Sequence, residues 1–169
     1  MKLVLLGYMG CGKSAISKSL SHHLKFKRID LDDYIEEKEG MLIAEIFSTK
    51  GEIYFRKLET TCLQELLDGK EEFILSLGGG TPCFGNNMEL INQKSTSVYL
   101  SANIPTLVDR LLPEKSKRPL IARISNEDLP EFIGKHLFER RHYYLQAKVA
   151  VSVDNKSVNT IASEIIAAI

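Results

Sequence analysis

The residues Gly7-Tyr8-Met9-Gly10-Cys11-Gly12-Lys13-Ser14 hold the densest chemistry of the chain. Glycines spaced in this way let successive backbone N–H groups turn inward around an anion. A lysine and a hydroxyl directly after them suit a polyphosphate. The ammonium reaches the β- and γ-phosphates, and the hydroxyl serves Mg²⁺. The pattern G-x-x-x-x-G-K-[ST] is satisfied in full, and its surroundings agree with it. The apolar run KLVLL before it reads as a strand buried on both faces. Ala15, Ile16, Leu20 and Leu24 after it fall at helical spacing, and a helix starting near Lys13 turns its positive dipole end to the same place. Gly10, Cys11, Gly12, Lys13, Ser14 and Ala15 are the expected nucleotide contacts, with Cys11 a spacer in the loop.

Three further groups of residues need one explanation. Asp30, Asp32 and Asp33 follow a short second strand, KRID. A third apolar strand, FILSL, ends in Gly78, Gly79 and Gly80 and not in a metal-binding aspartate. Arginines stand early on one long helix (Arg56) and late on another (Arg140, Arg141). In a parallel sheet the C-terminal strand ends share one edge, where ligands bind. Asp30 is therefore expected near Ser14 and the metal, with Asp32 facing a second substrate. The competing expectation is that the acids only cap a helix at Asp32 or Asp33. Arg56 has its own local alternative, pairing with Glu52 or Glu59 on the same helix. Glycines at a strand end admit a ligand close to the backbone, and the arginine fork matches a carboxylate. Together these residues suit a small acceptor carrying a carboxylate and hydroxyls.

The elements that must position them alternate along the chain. Strands are expected at KLVLL, KRID, FILSL, TSVYLS and KVAVSV, with helical patterns between them. DDYIEEKEG starts with acids and stops at Gly40, LIAEIFSTKG is a short helix, and EIYFRKLETTCLQELLDG is a long one with Ile53, Leu58, Cys62 and Leu66 on one face. Leu129, Phe132, Ile133, His136, Leu137, Tyr143 and Tyr144 are candidate core positions of the last long helix. This alternation predicts an α/β fold: a three-layer α/β/α sandwich with a five-stranded parallel sheet, flanked by helices and joined by right-handed crossovers.

GYMGCGKS, DLD (30–32), IAEIF…GEIYFRKLE (43–59), SLGGG (76–80), RPL (118–120) and ERRHYY (139–144) together resemble the shikimate kinases over nearly the whole chain. The resemblance implies a P-loop kinase fold of the nucleoside-monophosphate-kinase type with a mobile lid. It implies ATP-dependent phosphorylation of the 3-hydroxyl of shikimate, a step toward aromatic amino acids. Carried over residue by residue, it puts Lys13 and Ser14 on phosphate and magnesium and Asp30 at the metal-side acid. Asp32 becomes the acid that binds the acceptor hydroxyls and takes the reacting proton. Arg56 and Arg140 grip the carboxylate, Gly78 to Gly80 form the acceptor platform, and Arg118 is the lid arginine. Arg110 and the loop 154–157 are the adenine-side candidates. The chain departs from the family pattern at Ala15, where threonine is usual, and at His142, where proline is frequent. The expected organisation is one domain over 1–169, with a lid about 112–126 and acceptor-binding helices about 32–62.

Composition narrows the partners. Lys plus Arg and Asp plus Glu number 22 each, so there is no basic excess for nucleic acid or an anionic membrane. No apolar run approaches the length needed to span a bilayer. Three cysteines at unrelated spacings fit neither a disulfide framework nor a zinc site, and they point to a reducing, cytoplasmic setting. Lys2, the apolar run and Gly10-Cys11 mimic a lipoprotein signal, but Gly7 breaks the run too early. The expected partner is the small-molecule substrate, and the expected state is a monomer. The rival readings are another P-loop small-molecule kinase, for gluconate or a nucleoside monophosphate, and a nucleotide-dependent switch module.

Overall fold

The computed structural model describes residues 1–169. The strands are β1 (Lys2–Leu6), β2 (Lys27–Asp30), β3 (Phe73–Ser76), β4 (Thr96–Ser101) and β5 (Val149–Ser152). The helices are α1 (Lys13–Leu24), α2 (Leu31–Glu39), α3 (Ile43–Asp68), α4 (Asn87–Lys94), α5 (Ile104–Leu111), α6 (Leu129–Tyr144) and α7 (Val158–Ala168). The five strands form one sheet in the order β2-β3-β1-β4-β5, and every pairing is parallel.

This order accounts for the layers. The chain leaves β1 in one direction through α1 to reach β2. It then moves the other way through α2–α3, α4 and α5–α6. Right-handed crossovers running in opposite directions put their helices on opposite faces of the sheet. Accordingly α1 packs on α7 at one face, while α2 packs on α3, and α5 on α6, at the other. The core runs continuously through both interfaces. Leu3, Val4, Leu5 and Leu6 of β1 and Ile74 and Leu75 of β3 are wholly buried, as expected for strands covered twice.

The register sets the site. Asp30 pairs with Ser76, and Ser76 with Leu5. The ends of β1, β2 and β3 are thus level, and the segments that follow them emerge side by side where the strand order reverses around β1.

Several local expectations are corrected. The cap of α2 is Asp30, whose carboxylate accepts from the Asp32 N–H at 3.0 Å; Asp32 and Asp33 lie inside the first turn. The two helices expected across 42–68 are present: Ile43–Asp68 is interrupted at Gly51, whose φ of +83° and ψ of 169° are not helical. The bend changes the buried face. Ile53 is 77% exposed, and the buried stripe runs through Phe55, Glu59, Cys62, Leu63 and Leu67. His136, Phe132, Leu137 and Tyr143 are only partly buried, whereas Leu129, Ile133 and Tyr144 belong to the core. The segment 112–126 carries a 3₁₀ turn, Leu112–Lys117, and Ile121 anchors it by complete burial.

Candidate active site

The phosphate loop leaves β1 at Gly7 and enters α1 at Lys13. Gly10 and Gly12 have φ of +82° and +97°, backbone that a side chain would strain. The curl of the loop brings Lys13 Nζ back on itself, and it donates to the carbonyls of Gly7 (2.8 Å) and Tyr8 (3.1 Å). Cys11 is fully buried and fills the space under the loop, consistent with a spacer. Arg110, from the end of α5, reaches over the loop and donates to the carbonyls of Gly10 (3.3 Å) and Cys11 (3.1 Å).

One cavity of about 640 Å³ opens at this edge of the sheet, and its walls include Lys13, Ser14, Asp30, Asp32, Gly79 and Arg118. Gly10, Gly12, Ala15, Gly78 and Arg110 also line it, together with Met9, Leu77, Asp109, Pro113 and Glu114, which the sequence had not marked. Cys11, Arg56, Gly80 and Arg140 stand outside its lining. The strand register explains this grouping: the loop after β1, the end of β2 and the glycines after β3 arrive together.

The acids in the cavity crowd one another. Burial pushes Asp32 up to about 6, helped by the charges of Asp30 and Glu59 and opposed by Lys13. Asp30 is also raised, mainly by burial, against the N–H groups that its carboxylate accepts. Arg118 donates to Glu114 at 3.1 Å, and its Nε is buried without a partner. The chain fits a metal held chiefly by a phosphate ligand. No three carboxylate, histidine or cysteine side chains cluster to hold an ion alone. Ser14 and Asp30 share the cavity wall, and one Asp30 oxygen is engaged as the cap. One hydroxyl and one carboxylate oxygen suit Mg²⁺, which keeps most of its shell for water and phosphate.

The arginines lie behind the glycines. A Cβ on Gly80 would come within 2.8 Å of Arg56 Nη2, and one on Gly79 within 3.0 Å of Arg140 Nη1. The absence of side chains there is what lets both guanidiniums approach the backbone. Arg140 is half-buried and Arg141 exposed, so of the two adjacent arginines it is Arg140 that turns inward. Both local partners foreseen for Arg56 are present: Glu59 at 2.8 Å and Glu52 at 3.8 Å. Its guanidinium also stacks 3.9 Å over the ring of Phe84, and its Nε is buried without a hydrogen-bond partner. Arg56 borders a second groove, of about 740 Å³, between α3 and Phe84.

Sequence reasoning weighed Glu59 only as a helix neighbour of Arg56. It is 1% exposed, and it accepts from Arg56 and from Thr81 Oγ1 at 2.6 Å. It thus ties the helix arginine to the turn that follows the glycines. A glutamate inside a buried stripe was its one sequence signal. Tyr8 was given no role, and His136 was read as a core position. They meet through Tyr8 Oη and His136 Nδ1 at 2.9 Å.

Comparison with known proteins points to one family. The shikimate kinase family model matches residues 9–169. The shikimate kinase of Flavobacterium johnsoniae is 50% identical over 166 residues, covering 98% of this chain and 96% of that protein. The crystal structure of shikimate kinase from Bacteroides thetaiotaomicron superposes with a TM-score of 0.89 at 32% identity, covering 98% of this chain and 96% of that one. Shikimate kinase from Acinetobacter baumannii, solved in complex with shikimate, superposes with a TM-score of 0.85 at 30% identity, covering 98% and 90%. Matched in sequence and in fold over nearly its whole length, the chain belongs to the shikimate kinase family.

Proposed function

We propose that this chain transfers the γ-phosphoryl group of ATP to the 3-hydroxyl of shikimate, giving shikimate 3-phosphate and ADP. The observation that carries the proposal is the single cavity in which Lys13, Ser14, Asp30, Asp32, Gly79 and Arg118 meet. A phosphate loop alone would serve many nucleotide enzymes. An acid and a bare glycine backbone facing that loop across one cavity provide a place for an acceptor.

Phosphoryl transfer asks the protein mainly for alignment and charge neutralisation. Lys13 and the loop N–H groups hold the triphosphate. Ser14 and Asp30 would hold Mg²⁺, which would supply charge neutralisation to the triphosphate. Asp32 orients the acceptor hydroxyl and takes its proton as the O–P bond forms and the bond to ADP breaks. An acid titrating at about 6 is ionised at neutral pH and is a stronger base than an ordinary aspartate. Arg56 and Arg140 grip the acceptor carboxylate over the platform of Gly78, Gly79 and Gly80. The orphaned Nε of Arg56 supports an anionic guest on that side. Arg118 rides on the lid, about 112–126. It exchanges Glu114 for phosphate oxygens as the lid closes and water is excluded. Helices about 32–62 frame the acceptor, and Arg110 with the loop 154–157 frames the adenine. All these groups come from one chain, so we read the working unit as a monomer, and its free cysteines suit the cytoplasm. No helix is long and apolar enough to cross a membrane.

The test is ADP release in a coupled assay with ATP and Mg²⁺, with and without shikimate, gluconate and nucleoside monophosphates running in parallel. Saturable release that depends on shikimate is expected. Release that ignores shikimate, or follows another acceptor, would overturn the assignment.

A further inference from the structure

Two buried titratable groups have no part in the chemistry above. Tyr8, the second residue of the phosphate loop, is 1% exposed, and its hydroxyl lies 2.9 Å from Nδ1 of half-buried His136 on α6. Their rings also meet edge to face, with centroids 5.4 Å apart. Burial pushes the Tyr8 phenol up to about 12. Burial and the nearby Arg140 push the His136 imidazole down. The pair is therefore neutral at about pH 7, and the imidazole tautomer decides which of the two donates.

The spacing along α6 gives this contact its meaning. His136, Arg140 and Tyr144 follow one another at intervals of four and share one helix face. Tyr144 donates to the carbonyl of Gly79 at 2.6 Å, and its ring packs against Tyr99 at 5.2 Å. One face of α6 is thus tied at two points about 12 Å apart along the helix axis. One tie goes to the phosphate loop and the other to the glycine platform, with Arg140 midway between them. The rest of the anchoring, through Leu129 and Ile133, is apolar. Apolar packing is non-directional and fixes the rotation of a helix less sharply than a hydrogen bond does.

We propose that His136 is a positioning residue: its hydrogen bond to Tyr8 fixes the rotation of α6 and thereby aims Arg140 at the acceptor carboxylate. The proposal rests on the reading of Arg140 as an acceptor arginine and extends it to a residue that touches no substrate. It also assigns a function to the tyrosine in the loop, where the phosphate chemistry requires no side chain.

The test is steady-state kinetics of Tyr8→Phe, His136→Leu, the double variant, His136→Asn and His136→Gln, with Arg140→Ala as reference. Tyr8→Phe keeps the ring and removes only the hydroxyl, so it reports on the bond even where His136→Leu folds poorly. Each single variant is expected to raise the KM for shikimate about five- to tenfold, the worth of one hydrogen bond, with little change in the KM for ATP. The double variant should add nothing to either single change. His136→Asn should recover most of the loss, because its amide sits at the position of Nδ1, and His136→Gln should not. Additive losses, equal rises in both KM values, or equal failure of the Asn and Gln variants would reduce the pair to a structural contact and overturn the proposal. A raised shikimate KM in Arg140→Ala beside an unaltered one in Tyr8→Phe and His136→Leu would overturn the positioning role alone. An unaltered shikimate KM in Arg140→Ala would remove Arg140 from the site, and this proposal with it.

Discussion

Asp32→Asn should make the ligand-free enzyme more stable while disabling it. Asp32 titrates at about 6 in the folded chain, against 3.8 for an ordinary aspartate. The folded state thus binds this proton more tightly than the unfolded state does. Stability from this group is fully present below about pH 4, declines between about pH 4 and pH 6, and stays low above that. Two pH units of displacement correspond to about 3 kcal/mol. Asp32 is only partly buried, and solvent screens part of the interaction, so a gain of about 1–2 kcal/mol is expected from asparagine at pH 8. The gain should shrink toward acid, with roughly half of it appearing between pH 5 and pH 8. The assay is urea unfolding of both proteins, free of nucleotide and in EDTA, across that range. The kcat of the variant should fall about 100-fold or more if Asp32 takes the proton. An asparagine variant no more stable than the parent at pH 8, or a stability difference flat with pH, would refute the claim that burial, with the charges of Asp30 and Glu59, strains this carboxylate.

Arg118→Ala should lower kcat far more than it alters the KM for shikimate, since the arginine is assigned to the phosphates; an effect on KM alone would remove that role. Arg56→Ala should weaken shikimate binding by about 2–5 kcal/mol. It should also destabilise the fold by about 3–5 kcal/mol, because Glu59 is left buried and unpaired. Pairing Arg56→Met with Glu59→Gln should restore the unfolding midpoint in urea but not the shikimate KM. Recovery of both would show that Arg56 is structural. Gly80→Ala puts a methyl 2.8 Å from Arg56 Nη2, so the guanidinium must move. The shikimate KM should rise with the ATP KM unchanged, and a normal shikimate KM would detach the glycine from the arginine.

What was legible in the sequence was local. The phosphate loop spans eight residues, and its strand and helix are contiguous with it, so Lys13 and Ser14 could be placed by pattern alone. Asp30 and Asp32 were legible as a pair, because parallel strands share an edge. Their division of labour was less so: Asp30, Asp32 and Asp33 are equally good caps by composition, and only the backbone shows Asp30 accepting from the Asp32 N–H. The face of α3 was misjudged because Ile53, Leu58, Cys62 and Leu66 were read as its inner stripe, whereas after the kink at Gly51 Ile53 points to solvent and Phe55, Glu59, Cys62, Leu63 and Leu67 are buried. Tyr8 and His136 lie 128 residues apart, and no periodicity links a loop to a helix that returns from the opposite half of the sheet. Arg140 was chosen over Arg141 only through the family resemblance; periodicity alone could not separate them, since the choice depends on which face of α6 meets the glycines.

The cations of the site share a property that composition cannot show. Four of them already have a partner, and the partners differ in kind. Lys13 and Arg110 rest on backbone carbonyls of the phosphate loop, Arg118 on exposed Glu114, and Arg56 on buried Glu59. Carbonyls and an exposed carboxylate hold a cation weakly, because water competes with them. An incoming triphosphate offers charge-assisted bonds that replace them at little cost. Glu59 is different. It is buried and also accepts from Thr81, so Arg56 has no reason to leave it. Arg56 must then meet a carboxylate with the donors that Glu59 does not use, among them the buried Nε, which has no hydrogen-bond partner and only distant Glu52 at 3.8 Å. On the proposed reading, the phosphate side of the site works by exchange of partners and the acceptor side by completion of an existing one. Ionic strength should therefore weaken ATP binding more than shikimate binding, because the Arg118–Glu114 pair lies at the surface whereas the Arg56–Glu59 pair is largely buried. KM values measured from low to high KCl would decide it, and a steeper salt dependence for shikimate would contradict the division.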